Sequence, residues 1–403
     1  MRNNLLYCSL SLIGVSERTL NKIKLPRSRA KSANEASLPE GLCRQFSLKE
    51  IRASTFNFDS KFVIGRGGSG DVYKGVMDNG TLVVAVKRLK PRTSSRAREK
   101  LGLEEFRNEV KLLCQLRHQH LIYLIGFCHE KDEKILVYNY MSNGSLYDRL
   151  HNSIGYDPLS WKQRLEICIG PARGLHYLRT GAKRAIIHRD IKTNNILMDG
   201  QLVPKLSDFG LSEIGPSIVP NAPLKLVDDH KWEYHLIRES IESLSTTVVG
   251  TFGYLDPEYF LTGVLNLKSD VYSFGVVLFE VLCCCRPVVK ADVEKDRVHL
   301  VEWVIRCIKD GTIYDTIDPF LRGKVSPGSL EKFMEIACHC VHVSGKKRPA
   351  MGEVEATLEL ALEMQIQADS EMEHIHPNGE CMYEEVFSPL LPFNVSDVHS
   401  FKT

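Results

Sequence analysis

His188-Arg189-Asp190-Ile191-Lys192-Thr193-Asn194-Asn195, followed by Asp208-Phe209-Gly210, is the stretch on which the reading of this chain turns. The first run, H-R-D-x-x-x-x-N, offers a carboxylate that can hold an acceptor hydroxyl and an amide that can hold a metal ion. The second offers another metal-holding carboxylate. Alone, Asp-Phe-Gly could be an ordinary turn, and His-Arg-Asp arises by chance in many chains. In this order and at this spacing the two are parts of a phosphoryl-transfer site.

Working upstream, the partners such a site needs are present and in order. Ile64-Gly65-Arg66-Gly67-Gly68-Ser69-Gly70-Asp71-Val72 reads G-x-G-x-x-G-x-V, a loop whose missing side chains let backbone N–H groups approach phosphates. A lone glycine loop could equally be a plain hairpin turn. Here it is followed by Val83-Val84-Ala85-Val86-Lys87, an apolar strand closed by a lysine. A lysine at the end of a buried strand needs a counter-charge. Phe106, Val110 and Leu113 recur at i, i+4 and i+7, so Glu109 lies near the apolar edge of one helix and can turn inward to Lys87.

With these motifs in place, the chain resembles the eukaryotic protein kinases. More narrowly it is similar to the plant receptor-like kinases related to Pelle and the interleukin-receptor-associated kinases, and within these to the FERONIA-like subgroup. The narrower likeness rests on Phe46 to Ile51, Trp161 to Gly170, Gly174-Leu175-His176-Tyr177-Leu178, Gly253 to Tyr259 and Ser269 to Gly275, and it spans about residues 46–362. It implies an α+β, two-lobed fold with a small antiparallel β-sheet lobe carrying one key helix and a larger, mainly helical lobe. It also implies ATP as cofactor, with Mg²⁺, or Mn²⁺ in its stead. Lys87 would hold the α- and β-phosphates and be fixed by Glu109, and Asn195 and Asp208 would hold the metal. Asp190 would orient the acceptor hydroxyl and take its proton while Lys192 contacts the γ-phosphate. The nucleotide would lie against Gly65, Arg66, Gly67, Gly68, Ser69, Gly70, Val72, Ala85 and Lys87, with Tyr138 behind the adenine and the backbone around Tyr140 and Met141 bonding it. Lys192 and Gly250-Thr251 resemble serine/threonine rather than tyrosine kinases, and Thr251 should bond Asp190 and Lys192. By the same likeness Asp270 should bond the backbone near His188 and Arg189, and Glu258 should pair with Arg348. Arg189 implies a basic pocket awaiting a phosphate, with Thr246, Thr247 or Ser245 as its donor.

The division expected is an N-terminal mobile extension (1–45), a small lobe (46–138), a hinge (139–144), a large lobe (145–362) and a disordered acidic tail (363–403). The hinge is placed by Ser142-Asn143-Gly144, a turn signal after an apolar strand, and Ser145 is the expected N-cap that follows. Trp161 to Leu178 has helical spacing interrupted by Pro171, where a kink is expected, since proline inside a helix costs about 3 kcal/mol. Val271 to Leu282 is apolar nearly all round, as in a helix buried at a lobe's centre. The activation segment (208–258) is long. Its stretch 217–243 is either a regulatory insert that could cover the peptide groove or a coding error, and the sequence leaves both open.

Bulk properties exclude several classes. A chain of 403 residues, 43% hydrophobic, can bury sizeable cores, and a net charge of only +2 argues against an electrostatically driven nucleic-acid binder. The basic stretch from Lys87 to Lys100 reads as a solvated loop. Twelve cysteines without a C-x-x-C pair read as reduced, buried thiols, and Cys338-His339-Cys340 is a poor metal site because i and i+2 face different sides of a helix. No run reaches the ~20 apolar residues of a membrane span. Leu5 to Val15 is too short, and Met1-Arg2 lacks the glycine that myristoylation needs. The expected location is cytoplasmic, with the inner face of the plasma membrane as an alternative. The expected partners are protein substrates and a membrane receptor-kinase complex, with no nucleic acid and an open oligomeric state. The rival class is a pseudokinase scaffold. Such proteins usually lose the lysine or one of the two aspartates, and none is lost here.

Overall fold

Alternating burial builds the small lobe. The computed structural model describes residues 43–90, 96–152, 155–215, 243–245, 248–289, 299–375 and 382–383. Its first elements are β1 (Arg44–Gln45), α1 (Leu48–Ser54), β2 (Val63–Arg66), β3 (Gly70–Met77), β4 (Leu82–Leu89), α2 (Arg96–Leu113), β5 (Leu124–Glu130) and β6 (Glu133–Asn139). The six strands form one sheet in the order β1-β5-β6-β4-β3-β2, antiparallel except for β1, which runs parallel to β5. Val84 and Val86 of β4 are fully buried with Phe46, Ile51, Tyr73 and Val137, beneath α1. Ala85 and Lys87, one residue out of phase, face the other way, toward α2. There Phe106, Val110 and Leu113 join a core that runs on into the second lobe. Helix α1 starts with a reciprocal capping box between Ser47 and Glu50.

The large lobe begins with α3 (Leu146–His151), capped by Ser145 as expected, and α4 (Trp161–Thr180). Short strands follow: β7 (Ile186–Ile187), β8 (Ile196–Met198), β9 (Pro204–Leu206), β10 (Glu213–Ile214) and β11 (Ser243–Ser245). Then come α5 (Pro257–Thr262), β12 (Val264–Asn266), α6 (Leu267–Cys283), α7 (Leu300–Lys309), α8 (Pro327–Cys340) and α9 (Met351–Ile375). Strand pairs β7–β10 and β8–β9 frame the loop that carries Asp190. Helix α6 is buried on nearly every side, and α4 continues through Pro171 without interruption.

Six expectations need correction. The acidic tail was expected without structure from 363, yet α9 runs on to Ile375. There Gln365 is 1% exposed and accepts from Ser326 N at 2.8 Å, while Asp369 pairs with Lys162 at 2.7 Å. The extension was expected to reach residue 45, but Arg44 and Gln45 already belong to the sheet, and Cys43 is joined to Cys114 by a disulfide, where reduced thiols were expected. Helix α2 starts at Arg96, inside the stretch read as a loop, and Lys87 to Leu89 are strand. Arg348 pairs with Asp256 (2.7 Å) rather than Glu258. Asp256 is the buried N-cap of α5 and faces the guanidinium, whereas Glu258, in the first turn, accepts from Gly345 N at 2.6 Å. Arg189, expected in an open basic pocket, is already engaged, as described below. The 217–242 part of the insert, Thr246 and Thr247 lie outside the described residues. Among the described residues no group of His, Cys, Asp and Glu could hold a metal by itself, and no helix is long and apolar enough to cross a membrane.

Candidate active site

Asp270 sets the site from beneath. It is 1% exposed in the first turn of α6, and its two carboxylate oxygens accept His188 N at 2.8 Å and Arg189 N at 2.9 Å. The second bond holds a residue in an unfavourable conformation, since Arg189 has φ +72°. The His188 ring finishes the turn. Its Nδ1 accepts from Asp190 N (3.3 Å), so the proton sits on Nε2, which donates to Ser207 O at 3.0 Å.

That turn presents the Asp190 carboxylate with both oxygens occupied. Oδ1 accepts from the Thr251 hydroxyl at 2.5 Å, and Oδ2 accepts from Lys192 Nζ at 2.6 Å and Asn195 Nδ2 at 3.0 Å. Lys192 Nζ also donates to Thr251 Oγ1 at 2.8 Å, closing the expected triangle. The group is a carboxylate already holding a hydroxyl beside a cation.

The second cluster joins the lobes. Lys87 Nζ lies 2.5 Å from Asp208 and 3.4 Å from Glu109. Burial disfavours the charged amine, but the two carboxylates outweigh it and raise its pKa above the ordinary lysine value. Lys87 in turn holds the Asp208 carboxyl below its usual range. Glu109 goes the other way, raised by burial against the pull of Lys87. Glu109 Oε1 accepts from Tyr138 OH at 2.7 Å and Phe209 N at 3.3 Å. Strand register explains the convergence: Val72 is opposite Lys87 and Ala85 is opposite Tyr138, so all four lie on one face of the sheet. Tyr140 and Met141 follow β6 directly, Met141 buried and Tyr140 under Lys74 Nζ, 4.8 Å from its ring centre.

The glycine loop joins β2 and β3 through Gly67, Gly68 and Ser69. Gly67 N donates to Gly70 O at 2.9 Å, and Lys90 Nζ donates to Gly67 O at 3.1 Å. Gly65, within β2, lies opposite Val72, and Arg66, opposite Asp71, is exposed. Gly70 is needed for a reason other than a phosphate. A Cβ there would stand 2.3 Å from Arg88 O on the neighbouring strand.

Among the described residues, Asp208 Oδ2 and Asn195 Oδ1 accept no hydrogen bond, which leaves two oxygen ligands of the kind a hard divalent ion takes. The donor set therefore fits the metal-nucleotide that the fold implies.

Four residues of the site escaped the sequence reading. Glu213 binds Arg189 Nη1 at 2.8 Å and Tyr259 OH takes Nη2 at 2.9 Å, so a carboxylate stands where an incoming phosphate was expected. Glu280, fully buried in α6, accepts from Tyr254 OH (2.5 Å) and Thr193 (3.1 Å), with His151 Nε2 at 2.8 Å. A lone glutamate in an otherwise apolar helix was the available signal. Asn108, beside Glu109, reaches the Phe209–Ser212 backbone and left no pattern in the sequence.

Comparison with known proteins agrees with this geometry. The sequence profile of the family described as protein kinase domain matches residues 58–357. The receptor-like protein kinase FERONIA of Arabidopsis thaliana is 46% identical over 376 residues, covering 91% of this chain and 39% of that protein. ANXUR2 and THESEUS 1, receptor-like protein kinases of the same plant, are 46% and 45% identical over 92% and 97% of this chain and 40% and 42% of their own lengths. The chain thus spans about two fifths of the curated relatives it matches. A profile match over most of the chain establishes that this chain belongs to the protein kinase family and is similar, within it, to the plant receptor-like kinases.

Proposed function

We propose that the chain is a serine/threonine protein kinase that transfers the γ-phosphate of ATP to hydroxyls of protein substrates, itself among them, in receptor-kinase signalling. The carrying observation is the Asp190 carboxylate, whose Oδ1 receives the Thr251 hydroxyl at 2.5 Å while Lys192 and Asn195 hold Oδ2. A carboxylate so held can orient an acceptor hydroxyl on one oxygen and take its proton, with Lys192 as the adjacent positive charge. When bound, Mg-ATP supplies the transferable phosphoryl group and cation charge. Lys87 then anchors the phosphates, Glu109 keeps Lys87 in place through α2, and Asp208 and Asn195 offer the metal its oxygens. The proposed partners are protein substrates and a membrane receptor-kinase complex, in keeping with relatives described as receptor-like protein kinases.

Purified chain given labelled ATP and Mg²⁺ should incorporate phosphate into itself and an added peptide, recovered as phosphoserine and phosphothreonine. Asp190→Asn should still bind ATP and lose transfer by orders of magnitude, about 10³-fold. Incorporation no greater than in Asp190→Asn would favour the scaffold reading. Phosphotyrosine as the main product would overturn the hydroxyl specificity.

A further inference from the structure

Asn108 precedes Glu109 on α2 and points at the same stretch of chain. Its Nδ2 lies 3.3 Å from Phe209 O, 3.2 Å from Gly210 O and 2.7 Å from Ser212 O. A primary amide has two N–H groups, so one hydrogen is shared between two of these carbonyls. Glu109 grips the same turn from the donor side, accepting Phe209 N at 3.3 Å. Helix and turn are also in close packing: a Cβ on Gly210 would stand 3.3 Å from Glu105 Cβ and 3.5 Å from Glu105 O. The turn needs such holding, because Asp208 has φ +68°, a conformation that persists only where its surroundings over-determine it.

We infer that Asn108 is a positioning residue, a three-carbonyl latch that fixes the Asp-Phe-Gly turn to α2 and so sets where the Asp208 carboxylate points. Its effect on turnover rests on the kinase reading above, but the latch itself does not. The Asn108–Glu109 pair gives the turn acceptors and donors together, so α2 and the turn move as one body. The position has a chemical requirement: the side chain must donate and must not accept. Asn108→Asp keeps the shape but aims a carboxylate at three carbonyl oxygens.

The test is hydrogen exchange at the backbone amides of 209–213 in the nucleotide-free protein, read beside the kinetics. Asn108→Asp should speed exchange there about tenfold or more, with exchange in α4 unchanged. It should lower kcat about 10- to 100-fold while the KM for an acceptor peptide stays within about twofold. Asn108→Ala, which removes the donor without adding charge, should do the same to a smaller extent and serves if the aspartate variant does not fold. Asn108→Gln, which keeps the amide, should recover part of both effects. Wild-type exchange at 209–213 in the alanine variant, or equal exchange and kcat in the alanine and glutamine variants, would overturn the latch. Absence of turnover in the unsubstituted protein would sink the kinase reading and leave the exchange result to stand by itself.

Discussion

The Tyr138 hydroxyl donates to a buried carboxylate, Glu109, that must also serve Lys87 and Phe209 N. Removing a single oxygen atom there leaves Glu109 short of one partner inside the protein, where an unmet acceptor costs about 1–3 kcal/mol. Tyr138→Phe should therefore lower unfolding stability by about that amount in urea titration, and an unchanged midpoint would show that water replaces the hydroxyl. At this scale the sequence was legible wherever a side chain carries chemistry at fixed spacing. Lys87 meets Glu109 and Asp208, and Asp190 meets Asn195. Much of what escaped it was backbone: nothing in the residue types Arg189 or Asp208 announces a positive φ, and Asn108 reaches carbonyls about a hundred positions away.

Elements are held by buried ions as well as by apolar packing. Arg348, 0% exposed, gives its guanidinium to Asp256 and to the carbonyls of His342, Lys268 and Val343, tying α5 to the loop before α9. Arg348→Met would strand the Asp256 carboxylate in the interior, at about 3–5 kcal/mol. Thermal unfolding should show a large loss of stability that is partly recovered in the double variant Asp256→Asn/Arg348→Met. No recovery would mean that the carbonyl bonds, rather than the ion pair, carry the arginine's effect. Helix α4 was readable from periodicity, because a packed face repeats, and α6 from an apolar run too even for an exposed face. The arginine's true partner was not, because Asp256 and Glu258 are two residues apart at one helix start, and only the fold decides which faces inward.

The small lobe is cross-linked by the Cys43–Cys114 bridge, which joins the residue before β1 to the residue after α2. A cross-link over so long a loop typically contributes about 2–4 kcal/mol. Cys43→Ser should melt earlier than the parent protein without reductant and at the same temperature with it; identical melting in both conditions would mean that the two thiols are not paired in solution. The two-lobed plan was plain from motif order, whereas the reach of β1 and α9 was not, since elements that only cap a core carry no chemistry to mark them. That reach has a practical meaning. The family profile covers 58–357, but Phe46 and Ile51 lie sealed in the small lobe on one side of that window, and Leu358, Ala361 and Gln365 lie sealed in the large lobe on the other. A protein trimmed to the similarity window would have raw apolar edges at both ends and would tend to clump on expression. Assays made on such a fragment would report the damage of the cut rather than the competence of the chain.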